Sequence, residues 1–401
     1  MAFPRRCPKA PAFSPGPEGA AAYAAGGSLR LVDPASGGGR ILVPKGTVPG
    51  VGWPVSFSPD GRWVAFSQGL VVAAAGGRVC SPLGRRGLND PYVTSWQWLP
   101  GKDTLIGETP AGGLIEATVS GRLRRLPIKA YPTWALDPSG RYIAYGYSPK
   151  PTVPGVEQIR VYDLATGSVR VIYRGSRHKV APPVVAQWSP GGRWILFWPD
   201  FGNSASIEAD GLPLLAVSTE TGQVVKLARV TLTYNSFLTW CGQNLVAAAG
   251  GDRYVTHGKR VVLATPPSWQ SRALTTDPAR SWYEPACSPQ GRLIAVVSTR
   301  NGVEPVFDTW DRSLWLLAPG GGPPEKLLST PGLSYENPIW AANGRSVLVV
   351  RRQSKPTAQA SICLAPVDQP GQCTQIADLG RVGFGYYGIN GYGLDWYQPR
   401  S

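Results

Sequence analysis

Two short segments set a tyrosine and a glutamate side by side ahead of an apolar strand: SWYEPACSP, with Tyr283 and Glu284, and LSYENPIW, with Tyr335 and Glu336. Paired carboxylates can divide the work of general acid and general base, or grip a cation together. Other chemistries ask for residues that the chain does not offer. The cysteines, Cys7, Cys80, Cys241, Cys287, Cys363 and Cys373, contain no C-x-x-C pair, and His178 and His257 are the only histidines, so no zinc site or histidine-rich metal centre is expected. No G-x-S-x-G nucleophile elbow occurs, and both histidines read as exposed loop or surface-strand residues. The runs Gly37-Gly38-Gly39 and Gly320-Gly321-Gly322 lack the following helix and Lys-Ser/Thr pair of a phosphate cradle, and read as hairpin turns. No cofactor and no metal are expected, and catalysis rests on the two glutamates or on nothing.

What positions these glutamates is a repeated element. In SFSPDGRWVAFS, proline presets φ for a tight turn at Ser58-Pro59-Asp60-Gly61 and glycine supplies the way out, so two strands flank it. Along the second strand Trp63 and Ala65 alternate with Val64 and Phe66, apolar on both faces. Related turns follow Phe13, Phe57, Trp98, Leu136, Trp188, Trp240, Cys287 and Trp340, at intervals of 38 to 53 residues. Each turn leads into a second strand and then a hairpin, as in QIRVYDLATGSVRVIY. A four-stranded sheet apolar on both faces cannot bury itself, and radial stacking of such sheets is the solution this period implies. The large residue before each turn is expected to pack between sheets.

The recurring W-S-P-D-G-R-x-[IVL]-A-[FY] pattern, followed by strands such as RVYDLATG, resembles the TolB-type, WD-repeat-like β-propeller family from about Ala12 to the C-terminus. The resemblance implies an all-β chain forming a single propeller of four-stranded antiparallel blades, eight in number with seven as the alternative. It implies a flexible segment over 1–11 and a propeller domain over 12–401. GLDWYQPR aligns Trp396 with Trp188 and competes with Ala12-Phe13 to complete the opening blade, so that both chain ends would close one sheet. The family spans translocation accessories, sensors and peptidase halves, so it says little of function.

Loop lengths say more. The connections between second and third strands are long in SPKPTVPGVE, WPDFGNSASIEADG, STRNGVEPVFDTWDR and RRQSKPTAQA, as is the link RGSRHKVAPPV, and all emerge on one face. One-sided insertions mark a binding surface. That face is expected to carry Trp198, Phe201, Phe307 and Trp310 among Arg177, Lys179 and Arg352, with Tyr283, Glu284, Tyr335 and Glu336 near one mouth of the central channel. Aromatics among mixed charges suit a protein, peptide or glycan partner, and the opposite, short-turn face is expected to be inert. The function expected is a non-enzymatic binding or scaffold module; the alternative is a carboxylate-dependent glycan- or peptide-processing enzyme.

The formal net charge of +15 would ordinarily raise nucleic acid or anionic lipid, but the basic residues are scattered rather than striped, so neither is expected. No segment approaches 18 uninterrupted apolar residues, and no transmembrane span is expected. The chain reads as cytoplasmic as written, or as an envelope protein if its start is truncated, and a monomer is favoured. Cys363 and Cys373 lie on adjacent strands of the last hairpin and can face one another; Cys287 is expected as a buried thiol.

Overall fold

In a computed structural model of the chain, the described residues are 3–16, 18–48, 54–84, 96–109, 113–129, 133–148, 157–175, 183–199, 211–303, 311–355, 357–382 and 392–398. The strands form eight antiparallel sheets, seven with four described strands and one with three. From the innermost strand outwards, blade 4 runs Trp134–Leu136, Tyr142–Tyr147, Gln158–Asp163 and Val169–Arg174. Blades 5, 6, 7 and 8 repeat this order from inner strands at Val184–Trp188, Leu238–Cys241, Arg280–Cys287 and Leu333–Trp340. Blade 3 begins at Trp96–Trp98. Blade 2 has Val55–Phe57, Trp63–Phe66 and Leu70–Ala73, with Cys80 bridging to Val71 at its outer edge. Blade 1 closes the ring as anticipated: Ala20–Ala25 pairs with the C-terminal Leu394–Tyr397, and Trp396, not Phe13, occupies the inner strand.

The turn motif recurs for a reason visible in its hydrogen bonds. Ser58 Oγ and Ser189 Oγ each accept the backbone N–H five residues on, from Trp63 and Trp194, at 3.0 Å, and Asp137 Oδ1 accepts that of Tyr142 at 2.6 Å. The first turn residue therefore caps the start of the second strand, while Gly61, with φ of 72°, takes the left-handed conformation that a side chain would resist.

Neighbouring blades are joined at their inner strands. Indole Nε1 groups of Trp98, Trp188 and Trp340 donate to carbonyls of the preceding inner strand, at Ser56, Ala135 and Ala286. A second set of stitches runs the other way. Side-chain oxygens of Asp395, Gln97, Thr133, Thr239 and Glu284 accept backbone N–H groups of the next inner strand, at Phe57, Leu136, Val185, Cys287 and Asn337. An inner strand has no ladder partner on its channel side, so a polar side chain from the adjacent blade satisfies it.

All six cysteines are paired. Cys363–Cys373 staples the last hairpin. Cys287 is not a free thiol: it bonds Cys241, which directly follows Trp240, the pre-turn residue one blade earlier, so a disulfide stands where Trp98, Trp188 and Trp340 use an indole stitch. Cys7–Cys80 ties the N-terminal segment to blade 2, where Pro4 O accepts from Ser81 N–H, while Cys7 N–H donates to Val119 O of blade 3. No helix among the described residues is long and apolar enough to cross a membrane.

Candidate functional site

The two Tyr-Glu pairs lie on neighbouring inner strands, as their spacing predicts, but they are not equivalent. Each strand bulges before a proline, between Tyr283 and Ala286 in blade 7 and between Glu336 and Ile339 in blade 8. Counted from the bulge, Glu284 matches Asn337 rather than Glu336. Both adopt left-handed backbone, with φ of 50° and 54°, which costs a non-glycine residue about 1–2 kcal/mol and suits asparagine better than glutamate. Glu284 Oε2 accepts the N–H of Asn337 at 3.0 Å, joining one bulge to the next.

Glu336 sits one residue off that stitch and does different work. Its Oε1 accepts from Arg312 Nη1 and, at 3.0 Å, from Arg352 Nε, while its Oε2 accepts the Tyr392 hydroxyl at 2.6 Å. Glu336, Arg312 and Arg352 are each 2% exposed or less. Burial opposes the charge on Arg312, but the Glu336 carboxylate outweighs it and holds the guanidinium above its ordinary value. Burial lowers Arg352, and burial together with Glu336 holds Tyr392 well above a free phenol. Glu284 is pushed up to about 7, chiefly by burial and further by the Glu336 charge, with the Asn337 N–H and Arg312 pulling the other way. A group titrating near neutrality can give and take protons, so the arrangement contains one carboxyl of tunable charge beside one locked between two cations.

The tyrosines are packing residues. Tyr283 stacks on Phe237 with centroids 6.2 Å apart, and the Tyr335 hydroxyl meets Thr330 Oγ1 at 2.9 Å. Trp198, expected as an exposed anchor, is instead core: it is 1% exposed, packs with Leu214 and Leu238, and donates Nε1–H to Thr231 Oγ1 at 2.6 Å. Its strand, WILFW, is apolar at every position and buried on both faces. Arg352 is likewise inside, for it neutralises Glu336 instead of meeting solvent. Phe201, Phe307, Trp310, Arg177 and Lys179 lie outside the described residues.

Three features escaped the sequence. Arg312 and Tyr392 complete the buried cluster from other parts of the chain, and nothing local marks them. Glu157 directly precedes the third strand of blade 4, 1% exposed, and neither carboxylate oxygen has a hydrogen-bond partner among the described residues. Ser148, one step beyond the Tyr147 to Gln158 pairing, also has an Oγ without a partner among the described residues, so two buried polar groups share the base of that hairpin. Burial first, then the Glu157 charge, pushes the nearby Tyr173 phenol up to about 12. Finally, Lys259 is wholly buried in blade 6, its ammonium donating to the carbonyls of Asp252 and His257, and burial lowers it to about 8. His257 Nδ1 lies 2.8 Å from Asp252 Oδ2, which makes this histidine part of a closed loop.

No protein-family model matches the chain, and no curated protein does. Solved structures do. The chain aligns over 95% of its length with 78% of the dihydro-heme d1 dehydrogenase NirN at 12% identity and a TM-score of 0.59. It aligns over 96% of its length with 93% of a eukaryotic initiation factor at 12% identity and a TM-score of 0.58. The putative TolB from Agrobacterium tumefaciens aligns over 94% of this chain and 99% of its own at 12% identity, with a TM-score of 0.39. Of a prolyl endopeptidase that it also matches, the chain spans 47%. A dehydrogenase and an initiation factor on one ring carry a fold in common, not a function.

Proposed function

We propose that the chain is a non-enzymatic binding module, engaging a protein, peptide or glycan partner through the face that bears its long second-to-third-strand links. The observation that carries this reading is the employment of the catalytic candidates. Glu336 is held by Arg312, Arg352 and Tyr392, and Glu284 by the Asn337 amide, so both serve the joint between blades 7 and 8. Glu157 supports the choice of face. It stands at the end of blade 4 from which its long links leave, and a buried carboxylate without a partner among the described residues suits a cationic group. The anchors proposed on that face are Phe201, Phe307, Trp310, Arg177 and Lys179. An array of peptides and oligosaccharides, read by direct binding, tests this: Trp310→Ala and Phe307→Ala are expected to abolish capture of the best binder at unchanged unfolding free energy. Capture that survives both changes removes the face from the proposal.

A second reading, a carboxylate-dependent glycan- or peptide-processing enzyme, is favoured by one observation, the Glu284 carboxyl titrating near neutrality. Turnover of any substrate in the same array, lost in Glu284→Gln with binding retained, would establish it in place of the first.

A further inference from the structure

The short-turn face, expected to be inert, carries a basic groove between blades 2 and 3. It has two lobes of about 570 and 580 Å³ that share Arg62, Asp103, Val119 and Ser120. One wall is the turn of each blade, at Pro59-Asp60 and Gly101-Lys102; the other is the N-terminal segment, lined by Pro4, Arg6, Pro8, Lys9 and Ala10. Arg6, Lys9, Arg62, Arg78 and Lys102 are all exposed. Against these cations the lining offers Asp60 and Asp103, and both are taken by Arg62, the second at 2.8 Å and also by Trp63 Nε1 at 3.3 Å. The remaining cations face the groove without an opposing carboxylate among the described residues. The segment that forms the wall is fixed by Cys7–Cys80 and by the Cys7 N–H to Val119 O bond, so the groove is built rather than incidental.

We propose that this groove binds an acidic peptide segment of a partner protein. Its cations call for an anionic chain, and its lining between them selects the kind. Prolines, Ala10 and Val119 suit apolar side chains interspersed with carboxylates. A glycan would want amide and free carboxylate side chains for its hydroxyls, and a nucleic acid a continuous basic stripe; the lining has no amide side chain, its two carboxylates are taken by Arg62, and its cations are interrupted by prolines, Ala10 and Val119. The site lies on the face opposite the long links and stands or falls independently of them.

The test is fluorescence anisotropy of the full-length oxidised protein with a short fluorescein-labelled peptide alternating glutamate with alanine. Binding that weakens steeply from low to physiological salt is expected. Lys9→Glu with Arg78→Glu turns two attractions into repulsions at exposed positions and is expected to weaken it about tenfold, equivalent to ~1.4 kcal/mol. Lys226→Glu with Arg229→Glu, exposed on the outer strand of blade 5, is expected to leave it unchanged. Cys7→Ser with Cys80→Ser releases the wall and is expected to weaken binding as well; should that variant fail to fold, the charge reversals still decide. Equal loss in both reversed pairs would reduce the effect to net charge and overturn the proposal. So would absence of peptide binding at low salt. Tighter binding of a heparin oligosaccharide or an oligodeoxythymidine, sensitive to the same reversal, would overturn the peptide assignment.

Discussion

Replacing Glu284 by glutamine isolates the charge of one carboxyl in a buried cluster. The amide keeps an oxygen to accept the Asn337 N–H and matches the carboxyl in size, so the change removes only ionisation. Below the ordinary carboxyl value of 4.5 the group is protonated whether the chain is folded or not, and it contributes no pH dependence. Between 4.5 and about 7 the unfolded chain ionises while the folded one keeps its proton. The unfolded state then binds fewer protons, so stability falls as pH rises through this window and the loss is complete above it. A shift from 4.5 to about 7 is worth on the order of 3 kcal/mol, undiscounted because the carboxyl is buried. Urea unfolding of wild type and Glu284→Gln, repeated from pH 4 to pH 8, subtracts every other titrating group. The difference is expected near zero at the acid end and about 3 kcal/mol in favour of glutamine at the alkaline end. A glutamine variant less stable at pH 8 than at pH 5, relative to wild type, would refute the reasoning, since the ionised carboxylate would then be the favoured form.

Three further outcomes follow from buried geometry. Trp198→Ala is expected to cost roughly 3–5 kcal/mol in urea, as much as Trp188→Ala, because both indoles are buried and hydrogen-bonded. Cys241→Ser with Cys287→Ser opens a 46-residue loop and is expected to cost about 4 kcal/mol by chain entropy, against about 3 for the 10-residue loop of Cys363 and Cys373; equal losses on denaturation would contradict that ordering. Glu157→Gln is expected to raise stability by about 1–3 kcal/mol while weakening partner capture on the long-link face, the two measured side by side.

The ring was legible because its turns are demanding. Ser58-Pro59-Asp60-Gly61 needs a side-chain cap, a fixed φ and a left-handed residue in that order, and few sequences meet all three by chance. The Cys241–Cys287 bond was readable in principle, since Cys287 holds the pre-turn position of its repeat, Cys241 directly follows that position in the repeat before, and radial stacking brings these stretches together. Trp198 was misplaced by proximity to a long link, although the unbroken apolar run Trp194–Trp198 already implied burial on both faces. Arg352 and Arg312 were beyond reach for a different reason: an arginine's place inside a protein depends on which distant carboxylate neutralises it, and that partner is chosen by the closure of two blades.

The inner strands also explain why polar residues there are a poor guide to catalysis. Asp395, Gln97, Thr133, Thr239 and Glu284 differ in charge, length and proton affinity, yet each accepts an N–H from the next blade. What is common to them is an oxygen at the right reach, because an unpaired strand edge must be satisfied whatever supplies the acceptor. A carboxylate is the costliest of these choices when buried, and the raised Asp395 and Glu284 carboxyls are the visible sign of that cost, burial being the first cause at both. Two perturbed carboxyls two blades apart in the ring, at Asp395 in blade 1 and Glu284 in blade 7, thus share one structural origin. A raised proton affinity at this position follows from burial on the inner strand, against which the stitch itself pulls, and is no sign of catalysis.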